Sequence, residues 1–357
     1  MKKESKLVKE ERLIREELKK SWKQDSSWFI ASFLLFLLLI LSFYSPDSEM
    51  LQLLFISLIS FFVIMKSAGF IILSISDYAK KSGISEYLLG FVIVAFCTSL
   101  PELSTAFFSS LAGKGELVLG DVIGANIIDT TIVLGLVAIL GKKMKVGGKK
   151  VTSVFILPML LLFFGYNGII SRFEGVILII SFVLYIGSLI YQERGKNKLV
   201  QDIKFETIWK DILIFGFALA ALLLASRWMV FSSLTIAEYF KVPEFIVGLV
   251  IVALGTTIPE LTVELKSVLG GVKQIAFGDI FGSFVTNICL VVGFAAVLNP
   301  ITFDLFSFYS SMFFMMLSIG ISLWFMRGEE IKAKHGYILI GVYVVFLVSQ
   351  VGIYFFR

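Results

Sequence analysis

The sequence contains little charge, a single histidine and two cysteines, and each shortage excludes a class of protein. Only 17% of its 357 residues are charged, against about 25% in soluble domains, and 57% are hydrophobic. The two cysteines lie within apolar segments and form neither a disulfide framework nor a metal motif. The net charge of +5 comes from basic residues in loops between apolar segments, which does not indicate nucleic-acid binding. The composition is that of an integral membrane protein.

Eleven apolar segments approach or exceed the roughly 20 residues that a bilayer-spanning helix needs. The first falls within residues 27–45, and residues 1–26 before it carry many charges of both signs. That long charged stretch favours a cytosolic segment over a cleaved signal peptide. The segments lie at roughly 28–44, 50–76, 85–112, 117–140, 151–168, 173–192, 209–232, 243–270, 275–299, 305–326 and 335–356.

The chain contains one long motif twice. Residues 86–135 and 244–293 align without a gap at an offset of 158, and 18 of the 50 positions are identical. Five spans separate the starts of the two copies, so the copies enter the membrane from opposite sides. The sequence therefore predicts an all-α membrane protein with an inverted repeat of two five-helix halves, 50–192 and 207–357, plus one extra N-terminal helix. A short cytosolic linker, 193–206, joins the halves.

The basic residues predict the orientation. With the N-terminus inside, 26 lysines and arginines fall on the inner side and 5 on the outer side. This asymmetry is the positive-inside signal of multi-pass proteins. We therefore expect a cytosolic N-terminus and a chain that lies in a lipid bilayer.

Each copy places a glutamate inside an apolar run, directly after a proline. The motifs are Thr98-Ser-Leu-Pro-Glu102 and Thr256-Thr-Ile-Pro-Glu260. Proline removes a backbone donor, so each helix is expected to kink and to free carbonyls at 95–97 and 253–255. Carboxylate, hydroxyl and carbonyl oxygens suit a hard cation such as Ca²⁺ or Na⁺. No histidine or thiolate cluster is present to suit zinc or copper.

Further polar residues lie in the next span of each copy. Asp129 and Asn287 occupy matching positions, and Asp129 would add a third carboxylate to the site. Asp121 and Asp279 each follow a glycine near a helix start, so they are either N-caps or residues that line the two mouths of a pathway. Glu264 is interpreted as a local polar contact. An intramembrane carboxylate costs about 3 kcal/mol on insertion scales, which bound cations or protons would offset.

At these residues the chain resembles the cation/Ca²⁺ exchanger superfamily, and especially its prokaryotic Na⁺/Ca²⁺ exchanger branch. The two repeats of that family have the form G-x-x-x-x-A-x-G-T-S-x-P-E-L followed by G-N-x-x-G-S-N. Here they read as Gly90–Leu103 with Gly120–Asn126, and Gly248–Leu261 with Gly278–Phe284. The resemblance covers ten of the eleven segments. It implies a multi-pass antiporter in the plasma (inner) membrane of a prokaryote, which exports Ca²⁺ in exchange for Na⁺ and needs no cofactor.

The resemblance also implies roles for single residues. The central Ca²⁺ ligands would be Thr98, Glu102, Thr256 and Glu260. Carbonyl donors to Na⁺ would be Ala95 and Ala253, and hydroxyl donors would be Ser99, Thr257 and Ser283. Asp129 and Asn287 match the polar pair that flanks the central site.

Several residues depart from the family pattern. Cys97 replaces a glycine, Phe284 replaces an asparagine, and Ala125 stands where a sodium-ligating serine is expected. Asp121 and Asp279 replace asparagines. The missing serine and the additional acids make a H⁺/Ca²⁺ antiporter of the same fold the main alternative.

Two other classes fit the residues less well. A cation channel would use the acids as a selectivity ring, but an inverted repeat with kinked helices argues against it. A membrane enzyme would need a nucleophile or a metal-ligand triad beside the two glutamates, and neither is present, so we expect no catalytic activity. One chain is expected to be sufficient for transport.

Overall fold

The computed structural model describes residues 50–81, 94–141, 143–145, 156–193, 208–269, 273–327 and 330–356. The predicted cytosolic segment 1–26 and the predicted first transmembrane helix 27–45 lie outside these ranges. So does the predicted linker 193–206, apart from its first residue. Within the described ranges the chain is almost entirely helical.

Fifteen α-helices are present in the described residues. Those of the first half are α1 Met50–Lys81, α2 Ala95–Thr98, α3 Leu100–Leu111, α4 Gly115–Ile128, α5 Leu134–Leu140, α6 Ile156–Phe164 and α7 Arg172–Glu193. Those of the second half are α8 Ile208–Phe240, α9 Glu244–Ile246, α10 Ala253–Thr256, α11 Ile258–Leu269, α12 Lys273–Val285, α13 Val292–Leu298, α14 Leu305–Arg327 and α15 Ala333–Phe356.

Seven continuous helical stretches, counted over the described residues, are long and apolar enough to cross a membrane. The predicted helical membrane protein is thereby confirmed. Three further predicted spans, 50–76, 85–112 and 151–168, overlap α1, α2 with α3, and α6. Residues 85–93 and 151–155 of these spans lie outside the described ranges. The third of these spans ends where predicted, because α6 ends at Phe164, a 3₁₀ turn covers Gly165–Asn167, and a left-handed Gly168 turns the chain.

Each motif proline begins a new helix. The helix of the first half breaks at Ser99, and Pro101 lies in the first turn of α3. A proline is tolerated there because the first-turn N–H groups have no intrahelical acceptor. The second half breaks in the same way at Thr257, before Pro259 in α11. Each break therefore places the glutamate after the proline in the first turn of a helix.

Three stretches of π-helix that lie wholly within the described residues interrupt the long helices near the predicted site. They are Asp129–Val133 after α4, Thr286–Val291 after α12, and Val247–Val252 before α10. Such wide turns are uncommon and occur frequently at functional sites. The first two are at equivalent places in the repeat, and they contain Asp129 and Asn287.

Four short strands accompany the helices of this all-α fold. Strand β1 Lys143–Lys145 pairs antiparallel with β4 Glu330–Lys332, and β2 Ile169–Ile170 pairs antiparallel with β3 Ile301–Thr302. Each pair joins a loop of one half to a loop of the other. Two or three residues are too few to show the alternation by which a strand is recognised in a sequence.

The apolar interior forms two separate clusters. The larger lies among α4, α5, α7 and α12–α15. The smaller lies where α1 packs along α8, with fully buried Ile56, Ile64 and Leu222, and it extends to Cys97 on α2. The α1–α8 pair is therefore a layer with its own apolar contacts, which packs against the broken helices from one side.

Candidate cation-binding site

Two glutamates occupy equivalent positions in the first turns of α3 and α11. Glu102 and Glu260 are fully buried, and none of their four carboxylate oxygens accepts a hydrogen bond. Their charges are close enough to repel each other. A helix N-terminus favours a negative charge, but a buried carboxylate that lacks a partner still costs several kcal/mol. The pair therefore requires a bound cation or a proton.

Two reciprocal hydrogen bonds connect the halves beside this pair. The Thr98 hydroxyl donates to Asp279 Oδ1 at 3.1 Å, and the Thr256 hydroxyl donates to Asp121 Oδ1, also at 3.1 Å. The two bonds are related by the 158-residue offset of the repeat. Each half thus supplies the threonine that holds the aspartate of the other half.

These bonds correct the interpretation of the aspartates as N-caps. Asp121 is the seventh residue of α4 and Asp279 is the seventh residue of α12, well inside each helix. Both are fully or almost fully buried. The helices begin earlier than expected because the loop before α4 ends at Lys114, so the glycine before each aspartate is an interior helical residue.

The helix that begins at α9 crosses α4 at close range. This crossing positions the bond between Thr256 and Asp121. A Cβ atom on Gly120 would lie 2.1 Å from Phe245 O, and a Cβ atom on Gly248 would lie 2.2 Å from Leu117 O. Only glycine permits two helix backbones to approach so closely. This crossing brings the aspartate of α4 to the threonine of α10.

The predicted flanking residues also meet across the halves. The Ser283 hydroxyl donates to Asp129 Oδ2 at 3.2 Å, and the Asn287 amide donates to Asn126 Oδ1 at 3.5 Å. All four side chains are fully buried. Asp129 Oδ1 and Asn287 Oδ1 accept no hydrogen bond, so each keeps a free oxygen acceptor.

The prediction that the kinks free the alanine carbonyls is wrong. Ala95 O accepts the Ser99 N–H at 3.0 Å and the Thr98 hydroxyl at 3.1 Å. Ala253 O accepts the Thr257 N–H at 3.1 Å and the hydroxyl of the same threonine. The prolines remove only the bond to the carbonyl four residues back, which belongs to Cys97 or Gly255, two residues after each alanine. The Ser99 hydroxyl, in contrast, is buried without a partner.

Three residues at the site were not predicted as functional. Thr105 donates to Asp121 Oδ2 at 2.9 Å, and Asn126 is the acceptor from Asn287. Glu264 is fully buried and neither of its carboxylate oxygens has a hydrogen-bond partner, so its interpretation as a local polar contact is wrong. Helical spacing could have identified Thr105 and Glu264, because they follow the motif glutamates by three and four residues.

The buried charge is entirely negative in the part of the chain that the structure describes. Six acidic residues are buried, and no lysine or arginine is buried with them. No three histidine, cysteine, aspartate or glutamate side chains among the described residues converge as a ready metal group. The acids are instead distributed over the broken helices, over α4 and α12, and over the π-helical turn after α4. The six are Glu102, Asp121, Asp129, Glu260, Glu264 and Asp279.

Relatives of known name match most of the chain. Sodium/calcium exchanger MaX1 of Methanosarcina acetivorans is 27% identical over 338 residues, which cover 82% of this chain and 97% of that protein. Inner membrane protein YrbG of Escherichia coli is 27% identical over 310 residues, which cover 81% of this chain and 94% of that protein.

The fold is also that of a solved structure. The sodium-calcium exchanger NCX_Mj, soaked with Na⁺ and Sr²⁺, superposes with a TM-score of 0.64 at 20% identity, over 84% of this chain and 99% of that chain. The family model described as sodium/calcium exchanger protein matches residues 52–191 and 210–352. Since these ranges contain both broken helices and account for most of the sequence, the chain belongs to the sodium/calcium exchanger family.

Proposed function

We propose that this protein is a secondary antiporter that exports Ca²⁺ in exchange for Na⁺ by alternating access. The observation that carries the proposal is the pair Glu102 and Glu260, which are equivalent in the repeat, fully buried and without a hydrogen bond to any carboxylate oxygen. Membership of the exchanger family supports Ca²⁺/cation antiport, and the name of the relative MaX1 points to Na⁺ as the counter-ion.

The two glutamates and the two motif threonines form the central Ca²⁺ site in this proposal. Two carboxylates balance the double charge of Ca²⁺, and Ca²⁺ takes six to eight oxygen ligands in flexible geometry. Na⁺ would occupy the same carboxylates, so Ca²⁺ and Na⁺ exclude each other and cross in alternate steps. The Ca²⁺ ligands are Thr98, Glu102, Thr256 and Glu260.

The flanking oxygens take Na⁺ when Ca²⁺ is absent. The buried Ser99 hydroxyl without a partner and the free oxygens of Asp129 and Asn287 support this role. Asp121 and Asp279 line the two pathways, each fixed by the threonine of the opposite half. The proposed flanking set is Ser99, Asp129, Thr257, Ser283 and Asn287, together with the carbonyls of Ala95 and Ala253, which would each exchange the bond from a threonine hydroxyl for the ion.

Access alternates when the α1–α8 pair slides along the broken helices. The apolar contacts of the pair belong to the smaller cluster, so sliding would rearrange its contacts with Cys97, Leu117, Val247 and Val252 and leave the larger core intact. The two halves, 50–192 and 207–357, would exchange conformations because they form an inverted repeat. We place the chain in a prokaryotic plasma membrane with its N-terminus in the cytosol, and one chain holds all the proposed ligands.

Replacing either glutamate tests the proposal. Glu102→Gln and Glu260→Gln each remove a charged ligand, which is worth about 1.5–3 kcal/mol and corresponds to roughly a tenfold loss or more of Ca²⁺ affinity. Na⁺-driven uptake of radioactive Ca²⁺ into proteoliposomes is the measurement. Glu238→Gln, at an exposed glutamate of α8, is the matched control and should retain full flux. Intact flux in both site variants would refute the proposed Ca²⁺ site.

A H⁺/Ca²⁺ antiporter is the second candidate. Ala125 is fully buried and provides no hydroxyl where the family places a sodium ligand, while six buried acids could carry protons. Ca²⁺ flux driven by a pH gradient in Na⁺-free buffer would favour this candidate. Flux that requires Na⁺ on the opposite side, and is indifferent to a pH gradient, would exclude it.

A further inference from the structure

The two halves differ at the positions one turn beyond the motif glutamates. Thr105 of the first half corresponds to Val263, and Ala106 corresponds to Glu264, at the repeat offset of 158. A hydroxyl in the first half is thus replaced by an apolar side chain, and a methyl group is replaced by a carboxylate. The second half gains a charge that has no counterpart in the first half.

Asp121 and Asp279, the two aspartates proposed to line the pathways, therefore differ in the hydrogen bonds that they accept. Asp121 accepts hydrogen bonds on both oxygens, from Thr256 at 3.1 Å and from Thr105 at 2.9 Å. Asp279 accepts one bond, from Thr98 to Oδ1, while its Oδ2 is buried with no partner. The protein itself therefore gives a donor to each carboxylate oxygen of Asp121, but leaves one carboxylate oxygen of Asp279 without a donor.

Glu264 lies on a helix that packs against the helix of Asp279. Its helix, α11, contacts both α12, which carries Asp279, and the π-helical turn that begins with Asp129. The Glu264 carboxylate is close enough to these two acids for their charges to repel it. It is fully buried with both oxygens unpartnered. Glu264 and Asp279 together present three buried carboxylate oxygens that no protein group satisfies.

We propose that Glu264 and Asp279 form an additional binding site for one monovalent metal cation, Na⁺, displaced by one helical turn from the central glutamate pair. The site has no equivalent in the first half, so the two pathways of the transporter differ chemically. This inference rests on the proposed antiport function, because the ion that occupies the site is the one exchanged for Ca²⁺.

The number of free oxygens favours a monovalent ion over Ca²⁺. Ca²⁺ requires six to eight oxygen ligands, whereas the pair provides three free carboxylate oxygens, and the nearby Ser283 hydroxyl is already hydrogen bonded. Two carboxylates also need at least one positive charge to be stable in a buried position. A small hard cation satisfies both conditions.

The site would supply a sodium ligand set that the first half has lost. Ala125 has no hydroxyl, whereas the equivalent Ser283 donates to Asp129. An added carboxylate at Glu264 restores one cation position in the opposite half. The number of Na⁺ ions bound per cycle then need not fall with the loss of the serine.

Na⁺ binding by the purified protein tests this inference without transport. The melting temperature is measured as NaCl replaces choline chloride at constant ionic strength. We expect Glu264→Gln to raise the Na⁺ concentration for half-maximal stabilisation about tenfold or more, because a charged ligand is lost, while Ca²⁺ stabilisation without Na⁺ changes less than about twofold. Glu264→Asp keeps the charge and should recover part of the Na⁺ response, and Glu238→Gln should behave as wild type.

Asp279→Asn removes the charge from the opposite helix and should give the same Na⁺ shift, which keeps the test available should the Glu264 variant not fold. A Na⁺ response unchanged in both variants would overturn the inference. So would a change confined to the pH dependence, which would indicate a proton in place of Na⁺. If wild type shows no Na⁺-driven Ca²⁺ flux, the proposed antiport fails, but Na⁺ stabilisation that depends on Glu264 would still support the site.

Discussion

Gly120→Ala tests the helix crossing beside the site, because Gly120 has no room for a methyl group. A Cβ atom there would lie 2.1 Å from Phe245 O and 2.9 Å from Leu249 N. Ordinary contact begins at 3.4 Å, so the backbones would have to separate by about 1.3 Å. Both clashing atoms belong to a helix backbone, which cannot yield as a flexible side chain does.

Separating the two helix backbones would also break the hydrogen bond from the Thr256 hydroxyl to Asp121. If Asp121 moves with its helix, the distance from Thr256 Oγ1 to Asp121 Oδ1 grows from 3.1 Å to at most about 4.4 Å. Overpacking costs about 1–3 kcal/mol, and loss of a hydrogen bond to a charged group costs about 1.5–3 kcal/mol. We therefore expect Gly120→Ala to destabilise the fold by about 3 kcal/mol or more.

The matched control is Gly187→Ala on α7, where a Cβ atom would meet nothing within 4 Å. There alanine should be neutral or stabilise the helix by about 0.5–1 kcal/mol. Thermal unfolding in detergent, followed by tryptophan fluorescence, and Ca²⁺ flux in proteoliposomes are measured for both variants. A Gly120→Ala protein as stable and as active as Gly187→Ala would refute the crossing.

Three further outcomes are expected. Ala125→Ser restores a hydroxyl at the family's sodium-ligand position and should lower the half-saturating Na⁺ concentration of Ca²⁺ flux about three- to tenfold; an unchanged Na⁺ dependence would contradict the assigned site. Gly255→Ala places a methyl group 2.5 Å from Met229 Cε on α8 and 2.7 Å from the Phe61 ring on α1. The maximal flux should fall because both helices of the sliding pair meet the methyl group, and a melting temperature that falls in parallel with the flux would point to misfolding instead of blocked sliding. Lys114 donates to Glu244, which raises the pKa of the Lys114 ammonium. Both are partly exposed, so Glu244→Gln should cost less than about 1 kcal/mol. Because the pKa is raised, this stabilisation is complete below the ordinary lysine value of 10.5 and is lost at higher pH; a stability difference that disappears near pH 8 would be inconsistent with the ion pair.

The features that local chemistry fixes could be predicted from the sequence. Pro101 and Pro259 break their helices wherever those helices pack, because the missing donor is a property of the residue itself. The glutamates that follow therefore had to lie in the first turn of a new helix. The 158-residue offset paired them correctly, since the repeat is visible in the sequence alone.

The positions and partners of Asp121 and Asp279 could not be predicted from the sequence. A Gly-Asp pair near an expected helix start is typical of an N-cap, and nothing local excludes that interpretation. Asp121 and Asp279 instead accept bonds from threonines 135 and 181 residues away in the sequence. Thr256 meets Asp121 where Gly120 and Gly248 let two helix backbones touch, and that contact depends on both helices at once.

For Glu264, likewise, the sequence predicted the position on the helix but not the surroundings of the side chain. Its spacing from Glu260 places both glutamates on one face of a helix. The sequence does not determine whether that face contacts water, a basic side chain or other acidic side chains. Glu264 is buried near Asp279 and Asp129, without a hydrogen-bond partner. The sequence determined by itself that carboxylates lie within apolar helices and that they come in two copies. Only the tertiary structure decided which carboxylates the protein satisfies and which it leaves for a cation, because that depends on donors brought from the opposite half of the chain.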